Sequence, residues 1–529
     1  MYKACARLHS RSHRSVPLVS PCIHRRYQSQ QPPAPPKSSL WRKDTDENQP
    51  AVLIEDHFTR STMFTFNFFK RLVKYSFVGI FTLGVTGWTA FEGVHMWVEK
   101  MELAPDRDSE VRQWEWDADG EKWTGGGLGG TDPGLGFKGR HAVRSSWIAQ
   151  NWGTGSGESV ITPSTRGSQG GLNVVETRLE IAQNFLSVAL NIAVSKMQDG
   201  KLRPGTIGEL LYRRGAILER MGTADALCEA RSQYERVWAG LPGKGIDTAR
   251  TALKLGDLNY RLGDTEDALA WWKRTLQLTQ GSSTQDTSGF PIPQTVPSSP
   301  SAQRTIASAL VSVSAYYATS NQLKEARAVQ ESALDFLRSI PSPSSLTAAS
   351  PPQALHALYL LHRSSLLSIH LAEVLYALRS APQTSVQWLT RAAESSERVA
   401  LALTGLPFTH PDATVSKIPH PPASEASLIP VFTKSTAMKK PATSLLRDAR
   451  RTAAEAWNLL GLLREGDKDN GMEKALECYE RALGWAGVAA NPAKGGGEAG
   501  EGTSEKEWKV LWGNYVRARE ATRNPKSSN

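Results

Sequence analysis

The stretch Leu253-Lys254-Leu255-Gly256-Asp257-Leu258-Asn259-Tyr260-Arg261-Leu262-Gly263-Asp264, with Ala268, Trp272 and Thr275 after it, decides the fold. Gly256 sits in an apolar helical run, where a small residue lets a second helix approach closely. Gly263-Asp264 is turn chemistry. Ala268, Trp272 and Thr275 then read small, bulky, small at offsets of zero, four and seven, which share one face of a helix. The spacing predicts two helices folded into a hairpin that packs on itself and on the next hairpin.

Working outward, the pattern recurs. An earlier hairpin has Leu211, Gly215 and Leu218, then Ala230, Tyr234 and Val237. A third has Leu310, Ser314 and Tyr317, then Ala326, Gln330 and Ala333. A fourth, degenerate one has Leu371, Ala372 and Leu375, then Val386, Thr390 and Ala393. The fifth has Trp457, Leu460 and Gly461, then Ala475, Tyr479 and Ala482, with a lengthened turn over 464–471. Residues 171–203 open the region with Val175, Leu179, Ala182, Leu186, Ala189 and Ala193 at helical spacing. Residues 506–521, with Trp508, Leu511, Trp512 and Tyr515, are expected to cap its far end. The succession resembles the tetratricopeptide repeat (TPR), whose members bind other proteins. The expected fold class is all-α: a TPR-like helical hairpin array over 172–487, then a Gly-rich linker and capping helix over 488–529. The resemblance implies a groove between first helices, with Tyr260, Tyr317 and Trp457 as candidate protein-binding residues. Asp257 follows the small Gly256, and a carboxylate there argues against the clamp by which some TPR domains hold a chaperone's C-terminal carboxylate.

The formal charge of +10 is concentrated at one end. Residues 1–43 hold nine of the 62 Lys and Arg and no acidic residue; the remaining 53 face 52 acidic residues. A nearly neutral body lacks the basic face that nucleic-acid binding needs, so no nucleic-acid partner is expected. The Arg- and Ser-rich start reads as a mitochondrial presequence over 1–27, with cleavage after Tyr27 in Arg25-Arg26-Tyr27, followed by a matrix tail over 28–71.

Residues 72–98 are expected to form one transmembrane helix, built on the uncharged run 75–91. Lys70, Arg71 and Lys74 precede it and Glu92, Glu99 and Glu102 follow it. The positive side stays where insertion begins. With the presequence, this puts the N-terminus in the matrix and everything after the span in the intermembrane space. Gly79, Thr82, Thr86, Ala90 and Gly93 form a small-residue stripe, a candidate membrane-helix packing face. Glu92 and His95 share a face near the border and read as snorkelling groups.

Residues 99–171 form a Gly/Trp-rich neck, whose isolated tryptophans are expected to dock on a neighbouring surface. Gly134-Leu135-Gly136-Phe137-Lys138-Gly139 spells GxGxxG, but Thr131-Asp132-Pro133 stands where a dinucleotide site needs a strand. Low-complexity inserts at 281–301, 340–352 and 405–443 are expected to be disordered surface loops.

No HExxH, GxSxG or paired CxxC occurs. Cys5 and Cys22 fall in the presequence, and Cys228 and Cys478 read as ordinary helical thiols. His356, His362 and His370 lack the i, i+4 spacing of a helical metal pair and read as a solvated face. No enzyme activity, metal or cofactor is expected.

Presequence, single span, neck and TPR-like array, in that order, resemble the single-span TPR adaptor of the fungal mitochondrial i-AAA protease complex. The resemblance implies an inner-membrane quality-control role: binding unfolded or damaged membrane proteins and delivering them to that protease. Its partners would be the protease complex and the unfolded clients. An inner-membrane assembly factor for a respiratory-chain complex is the alternative.

Overall fold

The computed structural model describes residues 52–153, 159–163, 172–243, 245–280, 290–293, 295–405, 427–467, 470–487 and 503–523. The expected presequence, most of the expected matrix tail and the expected linker over 488–502 lie outside the described residues.

The chain divides into two units between Gly84 and Val85. The division falls inside helix α1, Val52–Trp97, which ends in a π-helical turn, Val98–Glu102. The helical stretch Arg60–Glu102 contains an 18-residue window of mean hydropathy 1.3 and is long and apolar enough to cross a membrane. About 20 residues suffice for that, so this helix is much longer than the expected 72–98. Gly79, Thr82, Thr86 and Ala90 are all exposed on it, and a Cβ added at Gly79 would meet nothing within 4 Å.

Among the described residues the second unit is all-α apart from one hairpin of strands, β1 (Ser159–Pro163) antiparallel to β2 (Leu172–Glu176). Two short helices, α2 (Ser109–Gln113) and α3 (Trp116–Asp119), precede α4 (Gly136–Trp152). Helix α4 packs along α5 (Thr177–Met197), burying Leu179, Ala182, Leu186, Ala189 and Ala193. Five helix pairs follow among the described residues. They are α6 (Thr206–Met221) with α7 (Ala224–Gly240), α8 (Ile246–Leu262) with α9 (Thr265–Gln280), and α10 (Pro300–Thr319) with α11 (Leu323–Ser339). Then come α12 (Pro351–Ala377) with α13 (Pro382–Thr404) and, after the short α14 (Ile429–Phe432), α15 (Thr436–Arg464) with α16 (Gly471–Ala486). The chain closes with α17 (Glu505–Arg523), packed on α16 through Leu511, Tyr515 and Ala518.

Each helix packs on the next. First helices also pack on first helices, α8 on α10, α10 on α12 and α12 on α15. The small–bulky–small pattern explains the pairing. Ala230, Tyr234 and Val237 are buried, as are Ala268, Trp272 and Thr275, and Ala475, Tyr479 and Ala482. A Cβ built at Gly256 would lie 2.6 Å from Trp272 Cδ1, one at Gly461 2.6 Å from Tyr479 Cε1, and one at Gly215 3.2 Å from the Tyr234 ring. At Gly256 and Gly461 a methyl could enter only if the ring moved, and at Gly215 the fit is tight. In the third pair Ser314 replaces glycine, and Gln330 Nε2 donates to its Oγ at 3.0 Å.

In the fourth pair the register differs by one residue from the expected one. Ser385, Leu389 and Ala392 carry the buried pattern, while Val386 and Thr390 are half-buried. The inserts also differ. Within the first, Phe290 and Ile292 pack on the core and Ser299 caps α10. In the second, Ile340 is buried and Leu346 and Ala349 pack inward. In the third, Phe432, Met438 and Ala442 are buried. A few well-spaced apolar residues suffice to fasten segments whose average composition is polar. Residues 281–289 and 406–426 lie outside the described residues.

Candidate functional site

The neck is the main surprise. Residues 104–132 lie along the N-terminal halves of the first helices and bond to all five of them. The path begins at α15, where Ser435 Oγ donates to Asp106 and Thr436 Oγ1 to the Ala104 carbonyl. Val111 and Trp116 are then buried in the core cluster that includes residues of α12, α13, α15 and α16. Trp116 Nε1 donates to the Pro352 carbonyl of α12 at 2.9 Å, and the Arg304 guanidinium of α10 lies 3.9 Å from the ring centroid. Such a desolvated cation over an indole is worth about 2 kcal/mol.

Arg304 gathers the turn around it. Its Nε donates to Asp119 at 2.5 Å and its Nη2 to the carbonyls of Trp114 and Glu115 at 3.1 and 3.0 Å. Glu115, in the left-handed region at φ 53°, accepts from Ser299 Oγ and the Ser301 amide at the start of α10. A carboxylate there satisfies an orphan donor and faces the positive end of the helix. Arg250 of α8 pairs with Asp119 at 3.5 Å and donates to the carbonyls of Ala118 and Asp119.

Glu121 follows. It pairs with Arg213 of α6 at 2.7 Å and with Lys440 of α15, so one carboxylate joins the first pair of helices to the last. Burial pushes its pKa up, but Arg213 and Lys440 outweigh that and hold it at about 2. Lys122 meets Asp247 of α8 at 3.0 Å, and Trp123 lies under Arg213 with 4.9 Å from Cζ to the ring centroid. The segment ends at α6, where Asp132 accepts from Thr206 Oγ1 at 2.6 Å and the Arg203 amide at 2.9 Å. Burial raises the Asp132 pKa, and these hydrogen bonds lower it below the ordinary value on balance. The C-terminal end of α1 is tied to α4: Glu92 pairs with His141 and Glu99 with Arg140, both at 2.9 Å. Glu92 is therefore engaged and His95 is buried, in place of the expected snorkelling pair.

The three candidate groove residues are placed differently from that segment. Trp457 is buried in the core, 4.1 Å from Arg481 Cζ, so it offers no exposed binding surface. Tyr260 and Tyr317 are half-buried at the C-terminal ends of α8 and α10. Tyr260 Oη bonds Thr319 Oγ1 at 2.8 Å, and Tyr317 packs edge-on to Phe290. The face that holds a segment is built instead from Arg213, Arg250, Arg304 and Lys440. In the sequence these are scattered cations with no shared motif; only their placement on first helices links them.

Other sequence candidates resolve into structure. GxGxxG opens α4, preceded by a 3₁₀ turn, Pro133–Leu135, and not by a strand. His356 and His362 are buried rather than solvated, and burial lowers both pKa values to about 3. Burial likewise lowers His370 to about 4, and its Nδ1 bonds Ser314 at 3.0 Å. Burial pushes the Cys478 thiol up to about 12, which makes it a packing residue. Asp257 accepts from Trp272 Nε1 at 3.0 Å and Ser312 Oγ at 2.9 Å. Among the described residues no group of three or more His, Cys, Asp or Glu is placed to hold a metal ion. No protein-family model and no curated protein sequence matches the chain.

Proposed function

We propose that the chain is a non-catalytic scaffold that binds protein segments on the face shared by the first helices of a TPR-like array. In this reading α1 anchors it in the mitochondrial inner membrane, with the N-terminus in the matrix and the array in the intermembrane space. One observation carries the binding role: the first helices of all five pairs together hold a largely irregular segment, residues 104–132, by side-chain and backbone recognition. The role that fits best is an adaptor delivering unfolded or damaged membrane proteins to the i-AAA protease. Anchoring restricts the search to the membrane plane, so modest affinity gains from high effective concentration.

A second reading is favoured by a specific observation. The cations of this face converge in pairs on two carboxylates, Asp119 and Glu121, a pattern that selects one sequence more than it tolerates many. That suits an assembly factor with one dedicated client in a respiratory-chain complex. Deleting the protein and quantifying the mitochondrial proteome separates the two. The adaptor role requires several unrelated inner-membrane proteins to accumulate. Loss of one respiratory complex, with the rest unchanged, overturns it in favour of the assembly role.

A further inference from the structure

We infer that the face shared by the first helices is a receptor for an acidic, tryptophan-bearing peptide segment, and that residues 114–121 are its resident occupant, displaced when a partner segment of the same chemistry binds. The inference rests on the protein-binding reading above and names its ligand class and its control.

The chemistry of the face follows from what sits on it. Four cations from four different helices converge on two carboxylates: Arg250 and Arg304 on Asp119, Arg213 and Lys440 on Glu121. Trp116 fills an apolar seat beside them and is 1% exposed. Lifting the segment away would leave the cations facing one another with no carboxylate between them. Lifted away, the segment leaves these cations to water; any segment that covers them again must supply carboxylates, because burying charge without a partner is costly. Its specification is an indole followed three and five residues later by carboxylates.

The segment is also built to leave. It enters no sheet, and its regular structure is limited to the short helices α2 and α3. Five glycines, Gly125, Gly126, Gly127, Gly129 and Gly130, join it to the rest of the neck, and Leu128 among them is 91% exposed. Gly126, Gly129 and Gly130 have positive φ, a conformation open to glycine at little cost. Lifting residues 114–121 while α4 stays packed on α5 turns the chain at this joint and breaks the bond from the Gly130 amide to the Leu103 carbonyl, 2.6 Å. Because the occupant is tethered, it acts at high effective concentration and excludes weak competitors. Only a segment matching the indole and both carboxylates competes well.

Two measurements on the full chain in detergent micelles decide it. In hydrogen exchange, amides of residues 111–120 are expected to exchange by local opening at least about 100-fold faster than the central amides of α8, α10 and α12. Equal rates would mean that the segment leaves only when the whole array unfolds, and the inference fails. In fluorescence anisotropy, a labelled peptide with the sequence of residues 112–123 is expected to bind the Trp116→Ala chain at least about tenfold more tightly than the wild type. The same peptide with lysine at both carboxylate positions is expected not to bind. Equal binding to both chains, or no binding to a folded Trp116→Ala chain, overturns the inference; should that variant not fold, hydrogen exchange on the wild type decides alone. Both assays use purified protein, so their failure is separable from failure of the adaptor or assembly role. If cellular partners are recovered while the peptide does not bind, another surface receives them.

Discussion

Replacing Glu121 with glutamine removes one charge and little volume. The carboxylate lies 2.7 Å from Arg213 and also pairs with Lys440, and its pKa is held at about 2 against an ordinary 4.5. That depression is on the order of 2.5 units at about 1.36 kcal/mol each, hence roughly 3 kcal/mol of stabilisation of the charged form. The Arg213 side chain is 6% exposed and that of Lys440 47%, so solvent screens the lysine and the arginine carries most of the effect. Glu121→Gln is therefore expected to lower the unfolding free energy by about 2–3 kcal/mol at neutral pH. Urea titration of the full chain in detergent, followed by tryptophan fluorescence, reads this as a shifted midpoint at unchanged slope. The pH dependence supplies an internal control. A depressed folded-state pKa contributes stability above the unfolded value of 4.5, and that contribution is lost as pH falls toward 2. The gap between wild type and variant should therefore narrow by roughly half by about pH 3 and close only near pH 2. A difference below about 0.5 kcal/mol at pH 7, or one that persists undiminished under acid, refutes the proposition that Glu121 joins the first and last helix pairs electrostatically.

Further outcomes follow from the packing. Gly256→Ala forces a methyl to 2.6 Å from Trp272; overpacking costs about 1–3 kcal/mol, offset by roughly 1 kcal/mol of helix propensity, so a net loss of up to about 2 kcal/mol is expected in the same titration, and a stabilised variant would contradict the tight crossing. Glu397 and Arg481 form a buried pair at 2.6 Å, with Trp485 Nε1 donating to the same carboxylate. Glu397→Ala should cost about 3–5 kcal/mol, and a near-neutral calorimetric result would count against that burial. Burial lowers His356 and His362 to about 3, so their contribution is complete above the unfolded value of 6.5 and is lost as pH falls from there toward 3. The unfolding free energy should decline by about 1–3 kcal/mol per pH unit between roughly pH 6 and 4, and a flat profile would show that these imidazoles are solvated. Cys478 should resist alkylation at about pH 8 until denaturant is added; rapid labelling of the native chain would place it at the surface.

The contrast between legible and illegible parts has a physical basis. Pairs one, two and five announce themselves because a glycine in one helix faces an aromatic ring in the next, a contact between residues 16 to 19 positions apart in the sequence. Where that contact is replaced, as by Ser314 with Gln330, or weakened, as in the fourth pair, the pattern loses its register. Histidine burial in α12 was hidden for another reason. That helix packs on α10, α11, α13 and α15, so it has no wide solvated face for a sequence periodicity to display. The neck was least legible of all. Trp116 meets Pro352 across 236 positions, and irregular chain carries no period that would reveal such a partner. The abundance of tryptophan foretold docking, and the acidic residues between the indoles supplied the signal that was missed: their partners are cations distributed one to a helix.

Crosslinked affinity purification from gently solubilised mitochondria, read at residue level by mass spectrometry, bears hardest on the proposed role. Co-purifying proteins are expected to be crosslinked to Lys254, Lys439 or Lys440, near the face shared by the first helices, with the i-AAA protease foremost among the partners. Recovery of respiratory-complex subunits at those same lysines would keep the binding face and replace the adaptor role with the assembly role. Partners crosslinked solely to other surfaces, or an absence of protein partners from a folded chain, would contradict the binding face itself.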